Sequence, residues 1–115
     1  MDKHVSALTK PDRVRVLNDN FRATFVGGRV VTTEDVNALP LDTKARLILA
    51  VQSFDDFTKD NDPFGGHDYA SFEIDGDIYF FKIDYFDLDL RPASEDPSDP
   101  EKTTRALTIM RADEY

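Results

Sequence analysis

The chain has 115 residues, of which 23 are acidic and 14 basic, for a formal net charge of −9. That length suits one domain with its own core. The absence of cysteine excludes disulfides, thiolate-held zinc, iron–sulfur clusters and thiol catalysis, and the negative charge opposes direct contact with nucleic acid or an anionic membrane.

Residues 1–9 read as a flexible N-terminus, with no apolar stretch of the kind a leader needs. The longest apolar run, Leu47 to Val51, is far shorter than a membrane span. These features together predict a cytoplasmic protein. A first helix is expected from Thr9, a capping residue, through Pro11 and Asp12, which suit a first turn. Val14, Leu17, Phe21 and Phe25 fall on one face of it, and Arg13, Arg15, Asn18, Asp19 and Arg22 mostly elsewhere. Gly27-Gly28 stops that helix. The glycines follow a helix and precede a strand, which is the wrong order for a phosphate-binding loop.

Arg29–Thr32 reads as a short strand and Thr33-Glu34-Asp35 as the start of a short helical turn ending near Leu39-Pro40. A second main helix is predicted over about Asp42–Asp56. Its apolar residues, Leu41, Ala45, Leu47, Ile48, Leu49, Val51 and Phe54, cover more than one stripe and imply burial on much of its circumference. Residues 58–68 form a loop by composition.

The strongest local signal follows. Tyr69–Ile74 and Asp77–Tyr85 flank Asp75-Gly76, the preferred pair for a type I′ hairpin turn. A two-residue loop fixes the register, so Ile74 faces Asp77, Phe72 faces Tyr79 and Ala70 faces Phe81. That face, with Ile83 and Tyr85, should lie on the helices. Extended to the strand ends, the same register sets His67 opposite Asp84 and Tyr69 opposite Lys82. Residues 86–103 are acidic, hold Pro92, Pro97 and Pro100, and read as a long mobile connection. Arg105–Arg111 reads as a third meander strand beside Asp77–Tyr85, with a short helix as the alternative.

These elements predict an α+β domain over residues 10–115. Two main helices and a short third pack on a small antiparallel sheet built around the Asp75-Gly76 hairpin, with an acidic loop at 86–103.

Several strings here resemble those of an uncharacterised bacterial family, the domain of unknown function 3768. They are Leu17-Asn18-Asp19 with Phe21-Arg22, Gly28–Val31, Phe54–Thr58, Asp60–Pro63, Gly66-His67-Asp68, Lys82–Tyr85, and Thr103–Arg105 with Leu107–Met110. The likeness spans roughly residues 13–115. This chain has Gly66 where the resemblance leads one to expect glutamate. The resemblance implies no activity. It implies a bacterial protein of chromosomes and mobile elements, a setting suited to counter-defence or regulation.

Four constellations bear on function. His67, Asp84 and Lys82 are candidate catalytic residues, because a carboxylate beside an imidazole orients it as a general base. Asp60, Asp62 and Asp68 are candidate cation ligands, although the EF-hand spacing fails at Phe64 and Ser71. Gly27-Gly28 is a helix stop. The fourth is the acidic surface: residues 55–101 hold fifteen acids and three bases. Carboxylates spaced along loops imitate a phosphate backbone and suit a basic groove.

The sequence therefore predicts an acidic, noncatalytic protein-binding module that inhibits or regulates a nucleic-acid-handling protein. Asp55, Asp56, Asp60, Asp62, Asp84, Asp87 and Asp89 would form its contact surface. The partner would be a protein with a basic surface, and no cofactor is expected. The alternative is a small enzyme using His67 and Asp84, with a divalent cation.

Overall fold

The structure, a computed structural model, describes residues 8–115. Most of the segment read as a flexible terminus, residues 1–7, lies outside the described residues. Of its last two residues, Thr9 accepts a hydrogen bond from the Asp12 amide and so caps α1 (Lys10–Thr24), while the Leu8 carbonyl accepts from Arg13. The helix ends at Phe25, which takes a left-handed conformation (φ 59°), two residues before the glycines expected to stop it. Gly28 instead permits a close approach: a Cβ there would lie 2.5 Å from the Arg105 carbonyl oxygen and 2.8 Å from the Phe21 ring.

The chain continues through β1 (Gly28–Thr32), α2 (Glu34–Asn37) and α3 (Leu41–Ser53). The Glu114 carboxylate, in a terminal 3₁₀ turn, accepts from the Thr33 hydroxyl (2.6 Å) and the Asp35 amide (3.0 Å), satisfying donors at the start of α2. The hairpin forms from β2 (Tyr69–Ile74) and β3 (Asp77–Phe86) in the expected register. Asp75 and Gly76 both have positive φ, as a type I′ turn requires. Arg46 of α3 grips the Asp75 carboxylate with two nitrogens (3.1 and 2.7 Å), tying the turn to the helix.

β4 (Thr104–Arg111) pairs antiparallel with β3, so the strand reading of this segment holds and the helix alternative does not. The sheet order is β1-β4-β3-β2, and β1 runs parallel to β4. The α+β class stands, but the sheet is mixed rather than wholly antiparallel. Only long-range packing places β1: it joins β4, far later in the chain, while α2 turns away over the strand's end, with the Thr33 amide bonded to the Ile109 carbonyl.

The core joins Phe21, Val36, Leu47 and Val51 from the helices with Tyr79, Phe81, Ile83, Leu107 and Ile109, alternate residues on one face of the sheet. On the opposite face Phe80 is buried and packs on Tyr69 and Tyr115, with ring centroids 5.5 and 5.1 Å away. The broad burial expected for the second main helix is not seen. Leu47 and Val51 are buried, but Leu41 and Leu49 stand out in solvent. A helix on one side of a four-stranded sheet buries one stripe, whatever apolar residues lie on its far side.

The 86–103 connection is a hydrogen-bonded structure rather than an open loop. Asp87 accepts from the amides of Asp89 and Arg91, Ser94 bonds Thr103, Asp96 caps Ser98, and the Tyr85 carbonyl accepts from the Ser94 amide. Short Asp and Ser side chains supply the turn bonds that a strand ladder would otherwise provide. No described helix is long and apolar enough to cross a membrane.

Candidate functional site

β2 begins, β3 ends and β4 begins at one edge of the molecule, as the pairings Tyr69↔Lys82 and Phe86↔Thr104 require. Both acidic loops, 54–68 and 87–103, leave the sheet there. Together they hold eleven acidic and three basic residues, net −8. Nearly all the net charge of the chain is thus gathered at one end of the fold.

A buried polar knot holds both loops. Asn18 of α1 is fully buried. Its carboxamide donates to the Gly66 carbonyl (2.9 Å) and the Tyr85 hydroxyl (2.7 Å), and accepts from Arg105 Nε (2.8 Å). The Tyr85 hydroxyl donates onward to Asp68 Oδ2 (2.9 Å), and Arg105 Nη2 donates to the Pro97 carbonyl. One loop is held at Gly66 and Asp68, the other at Pro97. The Arg105 guanidinium also lies 5.3 Å from the Tyr85 ring centroid. Burial pushes the Tyr85 phenol well above its ordinary range and lowers that of Arg105, which remains a cation.

A second cluster adjoins it. Arg22 is buried and donates to the Val51 (3.0 Å) and Phe54 (2.7 Å) carbonyls, closing the C-terminal end of α3. It also donates to Asp19 Oδ1 (3.0 Å), and its guanidinium lies 5.3 and 5.4 Å from the Phe57 and Phe81 ring centroids. The same Asp19 oxygen is 2.8 Å from His67 Nδ1, and the His67 ring stacks on Phe57 at 3.9 Å. A shallow cleft of about 160 Å³ opens here, lined by Asp19, Arg22, Phe54, Asp55, Phe57 and His67.

The proposed pairing of His67 with Asp84 does not form. β2 starts at Tyr69, and His67 lies beyond it with φ 56°, which turns the ring away from β3 and toward α1. Register carries no side-chain geometry past the last ladder residue. Asp84 pairs instead with Lys82 (3.2 Å), so two of the three candidate catalytic residues form a half-exposed pair away from the imidazole.

The weak cation candidates are also separated. Asp62 Oδ2 accepts from the His67 amide (3.2 Å), Asp68 serves Tyr85, and Asp60 is exposed in a turn. Among the described residues, no three acidic or histidine side chains gather as a metal site would require.

Of the seven acids assigned to a contact surface, Asp55, Asp56, Asp60 and Asp89 are exposed. Asp87 is half-buried, and both it and Asp89 are clasped by Arg91 (3.1 and 3.0 Å). Asp84 is half-exposed. Asp62 is turned inward, its side chain 8% exposed, and leaves the surface set.

Sequence reasoning passed over Asn18, Arg22, Tyr85 and Arg105 as site residues. The signals were available. Asn18 and Arg22 are four apart on α1, beside Phe21, and Arg105 shares the period-2 face of Leu107 and Ile109. Polar type argues against burial of Asn18 and Arg22, Arg105 reads only as the start of a strand, and Tyr85, set on the helix-facing side of the hairpin, reads as packing alone.

A family model described as a protein of unknown function, DUF3768, matches residues 32–114, leaving α1 outside the match. No curated protein and no solved structure matches the chain.

Proposed function

We propose, for a chain that belongs to the DUF3768 family of proteins of unknown function, the role of an acidic, noncatalytic protein-binding module. It acts in the cytoplasm and occupies the basic surface of a nucleic-acid-handling protein, inhibiting or regulating it. One observation carries this reading. Two acidic loops of net −8 leave the same end of the sheet, and a single buried knot of Asn18, Tyr85 and Arg105 holds both. Carboxylates fixed on a rigid platform lose little freedom on binding, and a concentrated negative field speeds encounter with a basic partner.

The exposed Asp55, Asp56, Asp60 and Asp89 are the acids this reading uses. A cleft of about 380 Å³ along Asp87, Leu88, Asp89, Arg91, Glu95 and Lys102 offers the partner relief as well as charge. The catalytic alternative has lost the dyad on which it was built.

The test is a pulldown from native extract at low and high salt. Wild type is run beside a variant carrying Asp55→Asn, Asp56→Asn, Asp60→Asn and Asp89→Asn. A partner with a basic face, held by wild type at low salt and lost from the variant, supports the proposal. A partner held equally by both, at either salt, contradicts it.

A further inference from the structure

We propose that His67 is a proton-sensitive latch on the acidic loop 54–68. The imidazole is one of the points at which this loop meets α1, between the Arg22 bond to Phe54 and the Asn18 bond to Gly66. Its side chain is 24% exposed, stacked flat on Phe57, with Nδ1 2.8 Å from Asp19 Oδ1. Its other nitrogen, Nε2, lies 3.7 Å from Asp62 Oδ2. Asp62 belongs to the same loop and is folded beneath it, where its carboxylate also accepts the His67 amide. The charged groups facing the ring are Asp19 and Arg22 from α1 and Asp55 and Asp62 from the loop.

The two ring nitrogens respond differently to a proton. The Nδ1–H bond to Asp19 is available to neutral and charged imidazole alike. With the Nδ1 proton kept on Asp19, Nε2 is a donor only in the charged ring. When protonated it presents an N–H to Asp62. When neutral it presents a lone pair to a nearly buried carboxylate, an arrangement that opposes closure. The His67 backbone is meanwhile held in the left-handed region (φ 56°), which favours release once the side-chain contact weakens.

The loop is therefore pinned when His67 is charged and loosened when it is neutral. Because the loop carries Asp55, Asp56 and Asp60, the latch sets whether those carboxylates form a fixed array. The inference concerns the free protein, so its failure leaves the binding reading standing, and the reverse.

The experiment is amide hydrogen exchange by NMR on the full chain at about pH 5.5 and about pH 8, on either side of the ordinary value of a free imidazole. Protection factors, corrected for the intrinsic pH dependence, are compared for residues 57–67 in wild type and Asp62→Asn. The asparagine is isosteric and keeps a carbonyl for the His67 amide, but carries no charge to hold a protonated Nε2. The expected result is roughly threefold lower protection at the higher pH in wild type, the size of a weak ion pair, with a clearly smaller loss in Asp62→Asn, where only the Asp19 pair still responds. Loop 87–103, which holds no histidine, should not change in either. Equal protection at both pH values in wild type overturns the latch. So does an equal loss in Asp62→Asn, or a loss shared by both loops.

Discussion

Asn18 is the residue on which most depends, because its carboxamide meets Arg105, Tyr85 and Gly66 at once. Asn18→Ala strands a buried guanidinium N–H and removes a donor from Tyr85. It should cost about 2–3 kcal/mol in chemical denaturation, in line with buried groups left unpaired. Tyr85 offers a pH signature. Its phenol is held up from an ordinary value of 10.0, chiefly by desolvation. The native state thus favours the neutral form. Its contribution to stability is complete below pH 10 and is lost as pH rises toward the native-state value. Tyr85→Phe should flatten the alkaline limb of the stability profile above pH 10, and an unchanged limb would show that the phenol plays no part. The sequence did not announce these residues, since Asn and Arg are polar and polarity argues for the surface. Their neighbours Phe21, Leu107 and Ile109 marked the inward faces on which they lie. Buried polar groups become visible only when periodicity is allowed to outrank residue type.

At the scale of elements, the hairpin was legible and β1 was not. Asp75-Gly76 determines the turn, the turn determines the register, and the pairing follows to its last residue. His67 lay two residues past that ladder, and its partner Asp19 is 48 positions earlier in the chain. Nothing local encodes that meeting. The parallel seat of β1 is equally nonlocal, and it rests on a close approach at Gly28. Gly28→Ala should push β1 off β4, because the new Cβ would meet a backbone carbonyl that cannot rotate aside. The expected loss is about 1–3 kcal/mol in urea denaturation. Gly66 behaves differently: its φ is not positive, and a Cβ would find only the Asp68 carboxylate, at 3.4 Å. Gly66→Glu, the residue suggested by the family resemblance, should fold with its melting temperature nearly unchanged.

At the scale of the whole molecule, charge asymmetry was plain in the sequence: residues 1–51 carry net +2 and residues 52–115 net −11. The fold turns that linear asymmetry into a spatial one by bringing loops 54–68 and 87–103 to one end of the sheet. Crowded carboxylates repel one another, so added salt should raise the melting temperature of the free protein. Asn18→Ala should loosen both loops together, which exchange protection at residues 57–67 and 94–103 would register. The most direct measurement is the affinity of the captured partner at about 50 mM and about 500 mM salt, a range over which the Debye length shrinks severalfold. It is made for wild type and for the variant neutralised at Asp55, Asp56, Asp60 and Asp89. An acidic contact surface predicts at least roughly tenfold weaker binding of wild type at high salt, and a variant that binds weakly at both. An affinity indifferent to salt, or a variant that binds as wild type does, would contradict it.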